Sequence, residues 1–225
     1  MIVVSGASRG LGRAIAERLV EQGSEVVGLA RTPVDAPFEV FGVDVTSEGS
    51  VQDVAKNLRR RGATVGALVN AAGIASMNLA VMAPASSVRR IVETNLLGTV
   101  FMCQMFAPLL IRAGGGAIVN FSTIAVALGL QGESAYAASK AGVETFSRTL
   151  ARELAGHRIT VNCVAPGPIA TDLLKGVSRD QIDQITERQI IQRQFTAADV
   201  CDVIEMLLDP RSKSLTGQVL HVGGV

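Results

Sequence analysis

Tyr136 and Lys140 are four residues apart, so on a helix both side chains leave one face, a single turn from each other. An ammonium near a phenol lowers the phenol's pKa from its reference of about 10, which would bring the tyrosine toward acid–base work. The pair alone is weak, because this spacing recurs on ordinary exposed helices. A second chemistry is written at the N-terminus, where Ser5-Gly6-Ala7-Ser8-Arg9-Gly10-Leu11-Gly12 follows directly on an apolar run. Its glycines permit a tight turn and let backbone N–H groups close on a pyrophosphate at a helix start, although the spacing departs from G-x-G-x-x-G. In such a dinucleotide unit an acid about twenty residues further on would bond the ribose 2′-hydroxyl, but Arg31 stands there instead. With Arg9 in the turn, two guanidinium groups favour a 2′-phosphate, so the expected cofactor is NADP(H). The alternative is that both are ordinary surface arginines.

These residues need a scaffold, and short β-branched runs alternate along the chain with longer amphipathic segments. The strands expected are Ile2–Ser5, Glu25–Ala30, Phe38–Val43, Ala67–Asn70, Ala117–Phe121, Thr160–Ala165 and Gln218–Val222. That rhythm predicts an α/β fold: a single-domain, Rossmann-type, doubly wound parallel sheet with helices on both faces. Leu11, Ile15, Leu19 and Val20 mark a first helix closed by Gly23, and Ser47–Arg61 a second, entered from Thr46 and Ser47. From Thr94 to Ile111 the pattern is apolar nearly all round, which predicts a helix with a partner surface beyond the sheet. Thr196 and Asp199 form a capping-box start to a helix ending near Leu208, before Pro210.

The 225 residues suit one such unit, with no second domain required. A net charge of +1 with 18% charged residues leaves no field for nucleic acid, so none is expected as a partner. Cys103, Cys163 and Cys201 are odd in number and lie in apolar stretches, which reads as buried thiols. Neither His157 nor His221 has neighbours at metal-ligand spacing, so no metal is expected. The uncharged stretch Ala63–Ser87 is interrupted by Asn70, Asn78 and Pro84, and the N-terminus has no leader pattern; a cytoplasmic protein with no membrane partner is expected.

The glycine turn, Asn70-Ala71-Ala72-Gly73 and Tyr136-Ala137-Ala138-Ser139-Lys140 together resemble the short-chain dehydrogenase/reductase family, with matches from Ser5 to Gly224. Within it the likeness is nearest to 3-oxoacyl-[acyl-carrier-protein] reductases, carried by Ser134–Gly142, Ile159–Ile169 and Leu215–Gly224. The resemblance implies NADPH-dependent reduction of a carbonyl, with Tyr136 giving its proton to the developing alkoxide. It gives the substrate-binding hydroxyl to Thr123, where the family has serine, next to Ser122, and a part in the proton relay to Asn95. It places Gly6, Ser8, Arg9, Gly10, Leu11 and Gly12 around the phosphates, and Asn70, Ala71 and Gly73 on the adenosine side. Asp44 and Val45 flank the adenine, with helix capping near Thr46 an equal alternative for Asp44; Pro166, Gly167, Ile169 and Thr171 line the nicotinamide portion with Tyr136 and Lys140.

A substrate lid is expected around residues 171–195, rich in glutamine but with Leu173, Leu174, Ile182, Ile185, Ile190 and Ile191 able to face inward. An acyl carrier protein is an implied partner, for which only Arg112, His157 and Arg158 offer basic contacts, and surface solvation explains those equally. The apolar helix and the alanine-rich helix starting near Tyr136 imply a homo-oligomer, tetramer or dimer. Two other functions stay open: a dehydrogenase of another secondary alcohol or sugar, and a silent cofactor-sensing regulator suggested by the altered serine position.

Overall fold

The computed structural model describes residues 1–170 and 178–225. Its strands are β1 (Ile2–Ser5), β2 (Val26–Ala30), β3 (Glu39–Gly42), β4 (Ala67–Asn70), β5 (Gly116–Phe121), β6 (Ile159–Pro166) and β7 (Val219–Val222). They form one seven-stranded sheet in the order β3-β2-β1-β4-β5-β6-β7, parallel at every pairing. Neighbouring residues of a strand point to opposite faces, so Val3 and Val4 of β1 enter two different cores. Both faces are covered, which is why these strands read as unbroken apolar runs.

The helices are α1 (Gly10–Glu21), α2 (Glu48–Arg60), α3 (Ala85–Val92), α4 (Gly98–Arg112), α5 (Ile124–Leu128), α6 (Ser134–Leu154), α7 (Arg179–Glu187) and α8 (Ala197–Leu208). α1 and α8 pack together over one face, contributing Ile15, Leu19 and Ile204. α2, α4 and α6 cover the other, with Leu58, Phe106 and Leu154 in its core. Ser47 caps α2 by accepting from the Ser50 N–H at 3.3 Å. At α8 the expected capping box is present: the Asp199 carboxylate accepts from the Thr196 N–H at 2.7 Å, and Thr196 Oγ1 accepts from the Asp199 N–H. Strand order reverses between β1 and β4, which opens a crevice at the carboxyl edge of the sheet.

The stretch Thr94–Ile111, expected as one helix, holds two geometries. A wider π-turn at Glu93–Leu97 joins α3 to α4, and the Thr99 hydroxyl donates to the Asn95 carbonyl at 2.8 Å across it. By length and composition alone Ala85–Arg112 could cross a membrane, but half of its most apolar window is buried in the fold. Met102, Cys103, Phe106, Leu109 and Leu110 enter the core, while Leu97 and Ile111 remain exposed.

Candidate active site

Two loops meet at the carboxyl edge. Gly6 follows β1 at φ +72°, and a Cβ there would lie 2.8 Å from the Ala72 nitrogen, so only glycine lets the turn touch the loop after β4. Ser5 Oγ accepts from the Ala72 N–H at 3.2 Å and fastens the two. Gly10 opens α1 at φ +60°, and the space for a Gly12 side chain is filled by the Gly6 carbonyl. Ser8 and Leu11 are half-buried, and Arg9 is exposed at the helix entry. A glycine-rich turn at the N-terminus of a twelve-residue helix fits the pyrophosphate of a dinucleotide.

Arg31 is exposed just past β2 and acts electrostatically on Asp44. The Asp44 carboxyl is held below its usual range, chiefly by the Thr46 N–H at 2.9 Å and hydroxyl at 2.8 Å, and least by Arg31. These two bonds hold the turn that leads into α2. Val45 is buried, its side chain against the Gly98 backbone.

Tyr136 lies buried in the first turn of α6, near enough to the Thr123 side chain for that hydroxyl to act on the phenol. Thr123 leaves β5 as the cap of α5, its Oγ1 accepting from the Ala125 N–H at 3.2 Å. The neighbouring Ser122 turns elsewhere, donating to Glu144 Oε1 at 2.5 Å. Lys140 Nζ donates to the Phe121 carbonyl at 2.8 Å, which ties α6 to the end of β5. Asn95, fully buried in the π-turn, accepts from the Ile74 N–H and donates to the Ile74 carbonyl, both at 2.9 Å, and donates to Ser139 Oγ at 3.0 Å. Ser139 Oγ in turn donates to the Tyr136 carbonyl at 2.7 Å.

One sequence expectation needs correction. The Tyr136 pKa is not lowered: burial first, and then the Glu133 charge, push it up to about 12, against a smaller opposing pull from Thr123. Lys140 does not relieve it, because its ammonium is turned to the Phe121 carbonyl and burial pulls its own pKa down to about 8. Gly73 stands with its Cβ direction 3.3 Å from Asn95 Oδ1 and 3.5 Å from Lys140 Nζ. The Asn70 amide points into the sheet, donating to Asn120 Oδ1 at 2.8 Å, while Ala71 borders Gly6.

Pro166 ends β6, and Gly167 packs against the buried Gln189 and Ile124. Ile169 is buried and bridges to Phe195. Thr171, Leu173 and Leu174 lie outside the described residues. Burial raises all three thiols, Cys103 to about 12 and Cys163 and Cys201 to about 11, so each is an inert core group. Sequence reasoning missed Ser139, Glu133 and Gln189. Glu133, three residues before Tyr136, had the one available signal, an acid one turn ahead of the phenol.

The enoyl-(acyl carrier protein) reductase family profile matches residues 6–224. The 3-oxoacyl-[acyl-carrier-protein] reductase FabG of Staphylococcus epidermidis is 35% identical, over 99% of this chain and 96% of its own. The enzyme of that name from Escherichia coli is 34% identical over 99% and 95%. Among solved structures, the ligand-free aldohexose dehydrogenase of Thermoplasma acidophilum superposes with a TM-score of 0.90 at 29% identity, over 99% of this chain and 92% of that one. A short-chain type dehydrogenase/reductase from Mycobacterium ulcerans gives 0.91 at 25% identity, over 98% and 87%. With its parallel sheet, glycine turn and Thr123–Tyr136–Lys140 cluster, the chain belongs to the short-chain dehydrogenase/reductase family, oxidoreductases that act on CH–OH and C=O groups with a nicotinamide cofactor.

Proposed function

We propose that this protein reduces the carbonyl of a 3-oxoacyl thioester to a secondary alcohol with NADPH. The observation that carries the reading is the buried Tyr136 phenol, on which the Thr123 hydroxyl acts, with Lys140 tied to the end of the same strand that delivers Thr123. Both hydroxyls can donate to one carbonyl oxygen, so they polarise it where negative charge develops. A bound reduced nicotinamide supplies the hydride. Tyr136, protonated throughout the neutral range, passes its proton to the new alkoxide and becomes the phenolate. Lys140 holds the end of β5 against α6, and Asn95 fixes the loop at Ile74 and the Ser139 turn behind the phenol. The Pro166–Ile169 wall would take the nicotinamide end.

Arg9 and Arg31, at the two loops where the ribose 2′-phosphate would lie, support NADPH over NADH. The thioester rests on the names of relatives about one-third identical over nearly the whole chain, which also favour an acyl carrier protein as the bearer. The likeness to an aldohexose dehydrogenase supports a second reading, oxidation or reduction of a sugar or other secondary alcohol. The same reading includes a single catalytic unit, a lid formed by residues 171–195, a cytoplasmic setting and a homo-oligomer.

Purified protein offered NADPH with acetoacetyl thioesters, simple ketones and aldoses tests it. Thioester turnover that falls by about 10²–10⁴ in Tyr136→Phe, with NADPH binding retained, is the expected result. An unchanged rate in that variant sinks the mechanism, and preferred turnover of an aldose sinks the substrate. Tight NADPH binding with no carbonyl reduced would leave the regulator reading. Replacing Arg9 and Arg31 by alanine should erase the preference for NADPH over NADH.

A further inference from the structure

Against the Pro166–Ile169 wall sits a buried polar group that the proposed reaction does not use. Gln189 is 2% exposed, and its amide oxygen, fully enclosed, meets no hydrogen-bond donor among the described residues. The amide nitrogen donates to the carbonyl of the exposed Arg193 at 3.2 Å. A buried acceptor left unmet costs stability, and methionine would fill a similar volume without that cost. A group kept against stability points to work done at its position.

The amide oxygen faces Gly167. A Cβ there would collide with it, and would lie 3.2 Å from Gln189 Cδ and 3.3 Å from Ile124 Cδ1. The Gly167 backbone is not left-handed, so the amide rather than conformation reserves the position for glycine. Gly167 thus borders both Gln189 and Ile124, the residue that follows Thr123. The same oxygen is 3.3 Å from the Cβ direction of Gly223, just past β7. The turn that carries it is braced on several sides. The Ile191 N–H donates to the Gly223 carbonyl at 2.9 Å, the Arg193 guanidinium lies 4.0 Å over the Phe195 ring, and Phe195 bridges to Ile169. The amide is therefore a fixed stop where β6 and β7 end.

We infer that Gln189 is a positioning residue: its side-chain amide sets the Gly167 backbone, and through the Pro166–Ile169 wall the placing of the nicotinamide ring relative to Thr123 and Tyr136. The inference rests on the proposed function, in which this wall takes the nicotinamide, and adds the residue that sets the wall. Misplacing that ring by about 1 Å costs hydride transfer about 10²-fold, whereas binding at the glycine turn is untouched.

Binding separates the two ends of the cofactor. Affinities for NADPH and for 2′-phospho-ADP-ribose, which lacks only the nicotinamide, are measured by calorimetry in wild type and Gln189→Met, with thermal melting of the free proteins. Gln189→Met is expected to melt at or above the wild-type temperature, to bind the fragment as before, and to lose about tenfold in NADPH affinity relative to it. A ratio unchanged from wild type, or equal losses for both ligands, overturns the inference. Gly167→Ala should reproduce the loss by displacing the amide. Gly167→Ala combined with Gln189→Ala, where the new methyl enters the vacated space, should recover most of it, and no recovery overturns the inference. Neither ligand reports on a carbonyl, so the expected ratios in a protein that reduces no 3-oxoacyl thioester refute the thioester reading alone. Thioester reduction with an unchanged ratio refutes this inference alone.

Discussion

At the scale of single residues, burial decides the chemistry more than the neighbouring ammonium does. Tyr136 is pushed up to about 12 and is therefore a stable donor, whereas Lys140, pulled down to about 8, titrates near working pH. Lys140 is charged below that value and neutral above it. If its cation serves the reaction, the rate of reduction falls as pH rises through about 8, while Tyr136 adds no slope there; a pH–rate profile that stays flat well beyond 8 contradicts this. The two hydroxyls at the end of β5 separate as cleanly. Thr123→Ala should cut turnover about 10²–10³-fold, as loss of a donor to a developing oxyanion does, with Thr123→Ser retaining most of it. Ser122→Ala should instead appear as lost thermal stability, roughly 1–3 kcal/mol, because Glu144 is left buried without its donor. The reverse pattern would reassign the catalytic hydroxyl. The tyrosine–lysine spacing was legible in the sequence because it is local, but the direction of the phenol's shift was not, since it depends on distant groups that bury it.

At the scale of elements, the π-turn is the piece that sequence periodicity concealed. Apolar residues continue across Glu93–Leu97 without a break, so the pattern reads as one helix, and only the insertion of Asn95 between Ile74 and Ser139 reveals why the coil widens. Asn95→Ala removes both hydrogen bonds to Ile74 and the one to Ser139. It is expected to cost about 2–3 kcal/mol, seen as a melting temperature lower by roughly 5–10 °C, together with a loss of turnover greater than that of NADPH affinity. Equal melting temperatures would show that the loop holds without it. Strands were legible almost to the residue, since a doubly covered parallel sheet leaves each as an apolar run between polar loops. The position of Gly73 was not, because it is set by how the loop after β4 folds back over α6, a contact between residues more than sixty positions apart.

At the scale of the molecule, helices α4 and α6 cover one core while Leu97 and Ile111 still face outward. The proposed homo-oligomer uses this apolar remainder, and light scattering at micromolar concentration should report a dimer or tetramer; a monomer would contradict it. Charged substitution at Leu97 together with Ile111 should shift the particle toward smaller species. The order of strands has a further consequence for the chain as it is made. β1 is synthesised first yet sits inside the sheet, paired to β2 on one side and β4 on the other. A nascent chain can complete β3-β2-β1 and its glycine turn early, but the strand that delivers Thr123 and the helix that delivers Tyr136 emerge only after more than half of the protein has left the ribosome. The half built to grip a nucleotide thus exists before the half that reacts, and a ligand captured early could template the remainder.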